Sequence, residues 1–119
     1  MTTKSQTPII CIVGLGYVGL PLAAAFGRTG WKTYGYDNNK ERIETLKKGE
    51  DWTHELTSKQ LQETPIEYSC DASVIAKANT IIVAVPTPVD AANNPDLSPL
   101  ELSSAVIGKH LKPSSVVVY

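Results

Sequence analysis

Ile9-Ile10-Cys11-Ile12-Val13-Gly14-Leu15-Gly16-Tyr17-Val18-Gly19 is the stretch on which the fold turns. The apolar run 9–13, mostly β-branched, reads as a buried strand. It breaks at three glycines spaced GxGxxG and restarts as a helix through Leu20, Leu22, Ala23 and Phe26. That backbone path grips a dinucleotide pyrophosphate, and each glycine has its own task in it. Gly14 allows the tight turn off the strand, Gly16 lets the backbone approach the phosphates, and Gly19 lets the new helix pack closely on the strand. The phosphates would then meet free amides at the positive end of a helix dipole.

Glycines also mark ordinary turns, so the residues around the motif decide its meaning. Residues 33–36 read as a short second strand, and Asp37 follows it eighteen positions after Gly19. The acid that hydrogen-bonds a ribose 2′-hydroxyl is expected roughly 20 residues on. A carboxylate there accepts from the adenosine diol of NAD and repels the 2′-phosphate of NADP, which favours NAD. The plainer reading is that Asp37 opens the turn at Asn38 and Asn39.

Composition bounds the other possibilities. The 119 residues make one domain, 1–119, large enough for a core and small for a complete two-substrate oxidoreductase. With 11 basic and 12 acidic residues and no basic cluster, the chain shows no electrostatic footprint for nucleic acid. Residues 9–26 are apolar, but three glycines and Pro21 interrupt them and Lys4 is the only charge ahead. No membrane span or secretory leader is therefore expected, and a cytoplasmic protein is. Cys11 and Cys70 have no metal or disulfide spacing and read as small buried apolar residues. No metal site is expected.

Strand and helix signals alternate along the rest of the chain. The first helix should run to about Arg28, with Pro21 in its first turn and Gly30 stopping it. Residues 39–48 read as a second helix with Ile43 and Leu46 inward, and 57–62 as a short third. Residues 66–70 suggest a third strand, and Asp71 is placed to cap a helix over 72–78. The run 80–85 is unbroken and mostly β-branched, as expected of a strand buried on both faces. Ser98, Pro99 and Glu101 suggest a capping box opening a helix over 99–111, with Lys109, His110 and Lys112 at the other end of its dipole. Residues 115–119 begin another apolar strand. A chain that stops inside a core strand reads as part of a longer protein.

Such alternation implies right-handed crossovers and an α/β fold, a doubly wound parallel sheet of about five strands in order 3-2-1-4-5 with helices on both faces. Ligands bind such sheets at the switch point beyond the ends of strands one and four. That topology sets Val85-Pro86-Thr87-Pro88 beside the glycine loop. The segment reads either as the nicotinamide-side wall of the pocket or as a rigid turn ending a strand.

Gly14-Leu15-Gly16-Tyr17-Val18-Gly19-Leu20-Pro21, Asp37 with Asn39 and Arg42, and Val85-Pro86-Thr87-Pro88 together resemble the N-terminal Rossmann domain of the UDP-glucose/GDP-mannose dehydrogenase family. The likeness spans essentially the whole chain. Pro95-Asp96-Leu97-Ser98-Pro99-Leu100 and the ending Val116-Val117-Val118-Tyr119 resemble the branch acting on UDP-N-acetylhexosamines for surface polysaccharides, the Vi polysaccharide type. The resemblance implies an NAD-dependent oxidation of the sugar C6 alcohol to a carboxylate in two hydride transfers. A cysteine thiolate holds the intermediate covalently between the two steps. By motif match, Gly14, Leu15, Gly16, Tyr17, Val18 and Gly19 would hold the pyrophosphate. Asp37 and Arg42 would hold the adenosine ribose, and Val85, Pro86, Thr87 and Pro88 the nicotinamide half. Arg42 reads equally well as a solvated residue on the second helix.

The family's catalytic threonine and glutamate follow the strand on which this sequence ends, and its lysine, asparagine and nucleophilic cysteine lie further on. No catalytic residue is therefore expected in this chain, Cys11 and Cys70 being misplaced for a nucleophile and His54 and His110 isolated. The chain alone should bind NAD without turnover, with most UDP-sugar contacts elsewhere and a homo-oligomeric parent. Two other readings stay open: the cofactor domain of a hydroxyacid-type dehydrogenase, and a stand-alone nucleotide-binding module.

Overall fold

The computed structural model describes residues 8–86, 89, 91–112 and 115–119. Five strands, β1 (Ile10–Val13), β2 (Thr33–Tyr36), β3 (Glu67–Ser69), β4 (Thr80–Val83) and β5 (Val116–Val118), form one sheet in the order β3-β2-β1-β4-β5. Every pairing is parallel, with Val13 beside Tyr36 on one side and Val83 on the other. The doubly wound order expected from the sequence is therefore the observed one. The reversal falls between β1 and β4, directly under the glycine loop.

Alternation along β1 divides the core. Ile10 and Ile12 point to one face, where they meet Leu20 and Ala23 of α1 (Gly19–Arg28), Ile43 and Leu46 of α2 (Lys40–Lys47), and Leu61 of α3 (Ser58–Glu63). Cys11 and Val13 point to the other face, against Val74 and Ile75 of a 3-10 helix (Ala72–Lys77) and Ile107 of α4 (Ser98–His110). A strand buried on both sides needs apolar residues at every position, and all four residues of β1 are buried. Each fully buried Ile or Leu contributes about 1.5–3 kcal/mol relative to exposure. Among the described residues, no helix is long and apolar enough to cross a membrane.

Helix starts follow their local chemistry, with one correction. Asn39 caps α2 by accepting the Arg42 amide, and Asp71 caps the 3-10 helix by accepting the Ser73 amide. The capping box lies at α3, where Thr57 and Gln60 exchange bonds of 3.1 and 2.8 Å, and not at Ser98. Ser98 is the first residue of α4. Its amide donates to the Asp96 carboxylate at 2.9 Å, so the helix opens one residue early and Pro99 takes the second position. The amide that proline lacks has no intrahelical partner there either. The helix expected over 72–78 is present as six residues of 3-10 helix. Cys70 corrects a further expectation: it is exposed, one residue past the end of β3, while Cys11 is buried.

Candidate cofactor site

The glycine loop has the geometry its spacing implies. Gly14 sits at φ +100°, a conformation that L side chains rarely adopt, and its amide donates to the Tyr36 carbonyl at 2.8 Å. A Cβ on Gly19 would lie 1.6 Å from the Gly14 carbonyl oxygen, so only glycine lets α1 start this close to the strand end. A Cβ on Gly16 would meet nothing within 4 Å. Gly16 therefore borders open space, as a residue does whose backbone must stay uncovered for a ligand. No side chain caps α1, and the amides of Gly16, Tyr17 and Val18 form no hydrogen bond among the described residues. Free donors at a helix N-terminus suit an anion.

Two side chains from different segments hold that loop, and a third holds one of them. Asp37, half-buried at the end of β2, accepts the Leu15 amide on one oxygen at 3.0 Å and the Asn39 amide on the other at 2.9 Å. Asp37 thus opens the turn at Asn38 and Asn39, as the plainer reading has it, and it also stands beside the glycine loop. Arg42 is buried, not solvated. Its Nε donates to the Leu15 carbonyl oxygen at 2.8 Å, and its guanidinium pairs with Asp51 at 2.9 Å. Its second terminal nitrogen, Nη2, is buried and has no partner among the described residues.

Asp51 escaped the sequence reading. Its side chain is fully buried and accepts from the Thr53 amide and hydroxyl and from the Glu55 and Leu56 amides, at 2.7–3.0 Å. Burial alone would push its carboxyl up, but the Thr53 and Leu56 hydrogen bonds and Arg42 hold it down at about 2. The signal available in the sequence was the Asp-x-Thr pattern at 51–53, an aspartate able to bond the backbone two residues on.

Above the carboxyl ends of β1, β2 and β4 lies a cleft of about 660 Å³. Its floor is the glycine loop, from Gly14 to Tyr17. Asp37, Asn38, Arg42 and Trp52 line one side of it, and Ala84, Val85 and Pro86 another. Leu102, Ser103 and Val106 of α4 also line it and, like Trp52, were not foreseen. Val18 and Gly19 do not line it: Val18 is exposed at the helix start, and Gly19 is occupied in packing. Thr87 and Pro88 lie outside the described residues. No cluster of three or more metal-ligating side chains occurs among the described residues. Burial pushes the Cys11 thiol up to about 12, so it stays protonated and inert.

The family model for the NAD binding domain of the UDP-glucose/GDP-mannose dehydrogenase family matches residues 9–119. The chain belongs to this family. Among curated relatives it is 49% identical over 110 residues to Protein CapL of Staphylococcus aureus, covering 92% of this chain and 26% of that one. It is 42% identical over 111 residues to UDP-N-acetyl-D-glucosamine 6-dehydrogenase of Pseudomonas aeruginosa, with the same coverage. Among solved structures, a UDP-D-ManNAc dehydrogenase from Pyrococcus horikoshii superposes with a TM-score of 0.81 at 28% identity, covering 91% of this chain and 27% of that one. The chain therefore spans about a quarter of the length of these relatives. As an NAD binding domain of this family it takes NAD as its cofactor. The open space at Gly16, the uncapped start of α1, the Asp37 carboxylate and the orphaned Arg42 Nη2 fit that ligand.

Proposed function

We propose that this chain is the cofactor half of a nucleotide-sugar 6-dehydrogenase that oxidises a UDP-N-acetylhexosamine at C6 to the uronic acid, for surface polysaccharide synthesis in the cytoplasm. The observation that carries the reading is the loop itself, with Gly16 open to the cleft and Leu15 held by Asp37 and Arg42. The support for the substrate class is the activity for which relatives such as the Pseudomonas aeruginosa UDP-N-acetyl-D-glucosamine 6-dehydrogenase are named. Bound NAD would supply the hydride acceptor for two successive oxidations.

The chain's own residues bind and orient. The Gly16 and Tyr17 amides would meet the pyrophosphate, and the Asp37 carboxylate the adenosine ribose. Val85 and Pro86 would wall the other half. The groups that handle the sugar would lie in a further part of the protein, consistent with relatives about four times as long.

The experiment compares thermal shifts with NAD and NADP. NAD should raise the melting temperature more, and Asp37→Asn, which leaves an oxygen for the Leu15 amide, should erase the difference. Equal shifts for both cofactors on the unmodified chain would refute the assignment of Asp37. The longer protein should form two NADH per UDP-N-acetylhexosamine consumed, and none from a hydroxyacid.

A further inference from the structure

We propose that Trp52 is a cofactor-contacting residue, its indole forming the adenosine-side wall of the cleft against which NAD docks. This rests on the NAD reading above and adds a residue that motif matching does not assign. The two tryptophans differ in a telling way. Trp31 is stacked on Phe26, with ring centroids 5.8 Å apart and 18° between planes. Trp52, 45% exposed, lines the cleft, with the Arg42 guanidinium carbon 5.7 Å from its ring centroid.

The turn that carries Trp52 is held more firmly than an idle surface loop requires. Asp51 immediately before it is buried and receives the Thr53, Glu55 and Leu56 amides and the Thr53 hydroxyl, while its own carbonyl accepts the His54 amide at 3.1 Å. A continuous chain of contacts then runs from Trp52 to Arg42, from Arg42 to the Leu15 carbonyl, and from the Leu15 amide to Asp37. The indole is thus fixed to the same loop and the same carboxylate that would receive the adenosine ribose. A rigid aromatic surface in that position suits a purine or its ribose, since stacking needs only a π-face and tolerates any base.

Calorimetric titration of the chain with NAD, ADP-ribose and nicotinamide mononucleotide tests this. Trp52→Ala should weaken NAD and ADP-ribose on the order of tenfold to a hundredfold, leave nicotinamide mononucleotide unchanged, and Trp52→Phe should restore most of the affinity. In a Trp31→Phe background, where Trp52 is the only tryptophan, NAD should quench the fluorescence, and this readout decides if Trp52→Ala does not fold. NAD binding with unchanged affinity in Trp52→Ala, or no quenching on binding, would overturn the role of Trp52 while leaving the NAD reading intact. Failure of the unmodified chain to bind NAD at all would overturn both.

Discussion

Arg42 Nε donates to the carbonyl oxygen of Leu15 at 2.8 Å across 27 positions of sequence, and both groups are buried. Leu15 is held at its other end as well, its amide donating to Asp37 at 3.0 Å. The middle of the glycine loop is therefore clamped between an anion and a cation before any ligand arrives. Pre-organisation of this kind lowers the ordering cost of binding. It also explains why a cation is buried here: Asp51 neutralises it and is itself saturated with hydrogen bonds.

Removing the cation should be expensive. Arg42→Met strips the buried Asp51 carboxylate of its ionic partner, and breaking one side of a buried pair costs about 3–5 kcal/mol. Urea unfolding should show that loss. Arg42→Met combined with Asp51→Asn should be less unstable than the sum of the single changes. Strict additivity would mean that the pair is not coupled.

Asp51 should also write itself into the acid limb of stability. Its folded value is lowered from 3.8 to about 2, so its contribution is present above the unfolded value and is lost as pH falls through about 2. Because the side chain is fully buried, the shift corresponds to roughly 2 kcal/mol. The stability gap between the unmodified chain and Asp51→Asn should be widest above pH 5 and should narrow toward pH 2. A gap independent of pH would show that the carboxylate is not specially stabilised.

What the sequence shows plainly is what depends on local pattern. The alternation of strands and helices follows from the apolar periods, and the three glycine tasks follow from spacing, while the order 3-2-1-4-5 goes with the dinucleotide reading of the glycine loop. Gly14, Gly16 and Gly19 each meet the surroundings assigned to them. Arg42 was ambiguous because its role depends on Leu15 and Asp51, neither of which a helix-surface pattern reveals. Trp52, Leu102 and Val106 come to the cleft only through tertiary packing, so no short motif marks them. The Ser98 capping box was a fair local reading defeated by Asp96, a stronger acceptor two residues earlier.

Thiol chemistry should separate the two cysteines. Cys11 is fully buried in β1 with a thiol pushed up to about 12, whereas Cys70 is exposed. An aromatic disulfide reagent should modify one thiol per folded chain at neutral pH, and peptide mapping should find it at Cys70. The second should react only at the rate of unfolding. Rapid modification of both would place Cys11 outside the core.

The paired substitutions Gly16→Ala and Gly19→Ala should separate binding from folding. A methyl group at Gly19 would overlap the Gly14 carbonyl oxygen, a backbone atom with no rotamer to retreat into. Overpacking against such an atom should cost about 3 kcal/mol or more, and α1 would have to shift away from the strand end. A methyl group at Gly16 meets no protein atom, so the folded chain should keep its melting temperature within a degree or two of the unmodified one. That methyl would, however, occupy the space into which the phosphates must come, and NAD affinity should fall by at least tenfold. Calorimetry and thermal unfolding on the same two proteins read both quantities. Full NAD affinity in Gly16→Ala would show that the pyrophosphate approaches the helix start from another side.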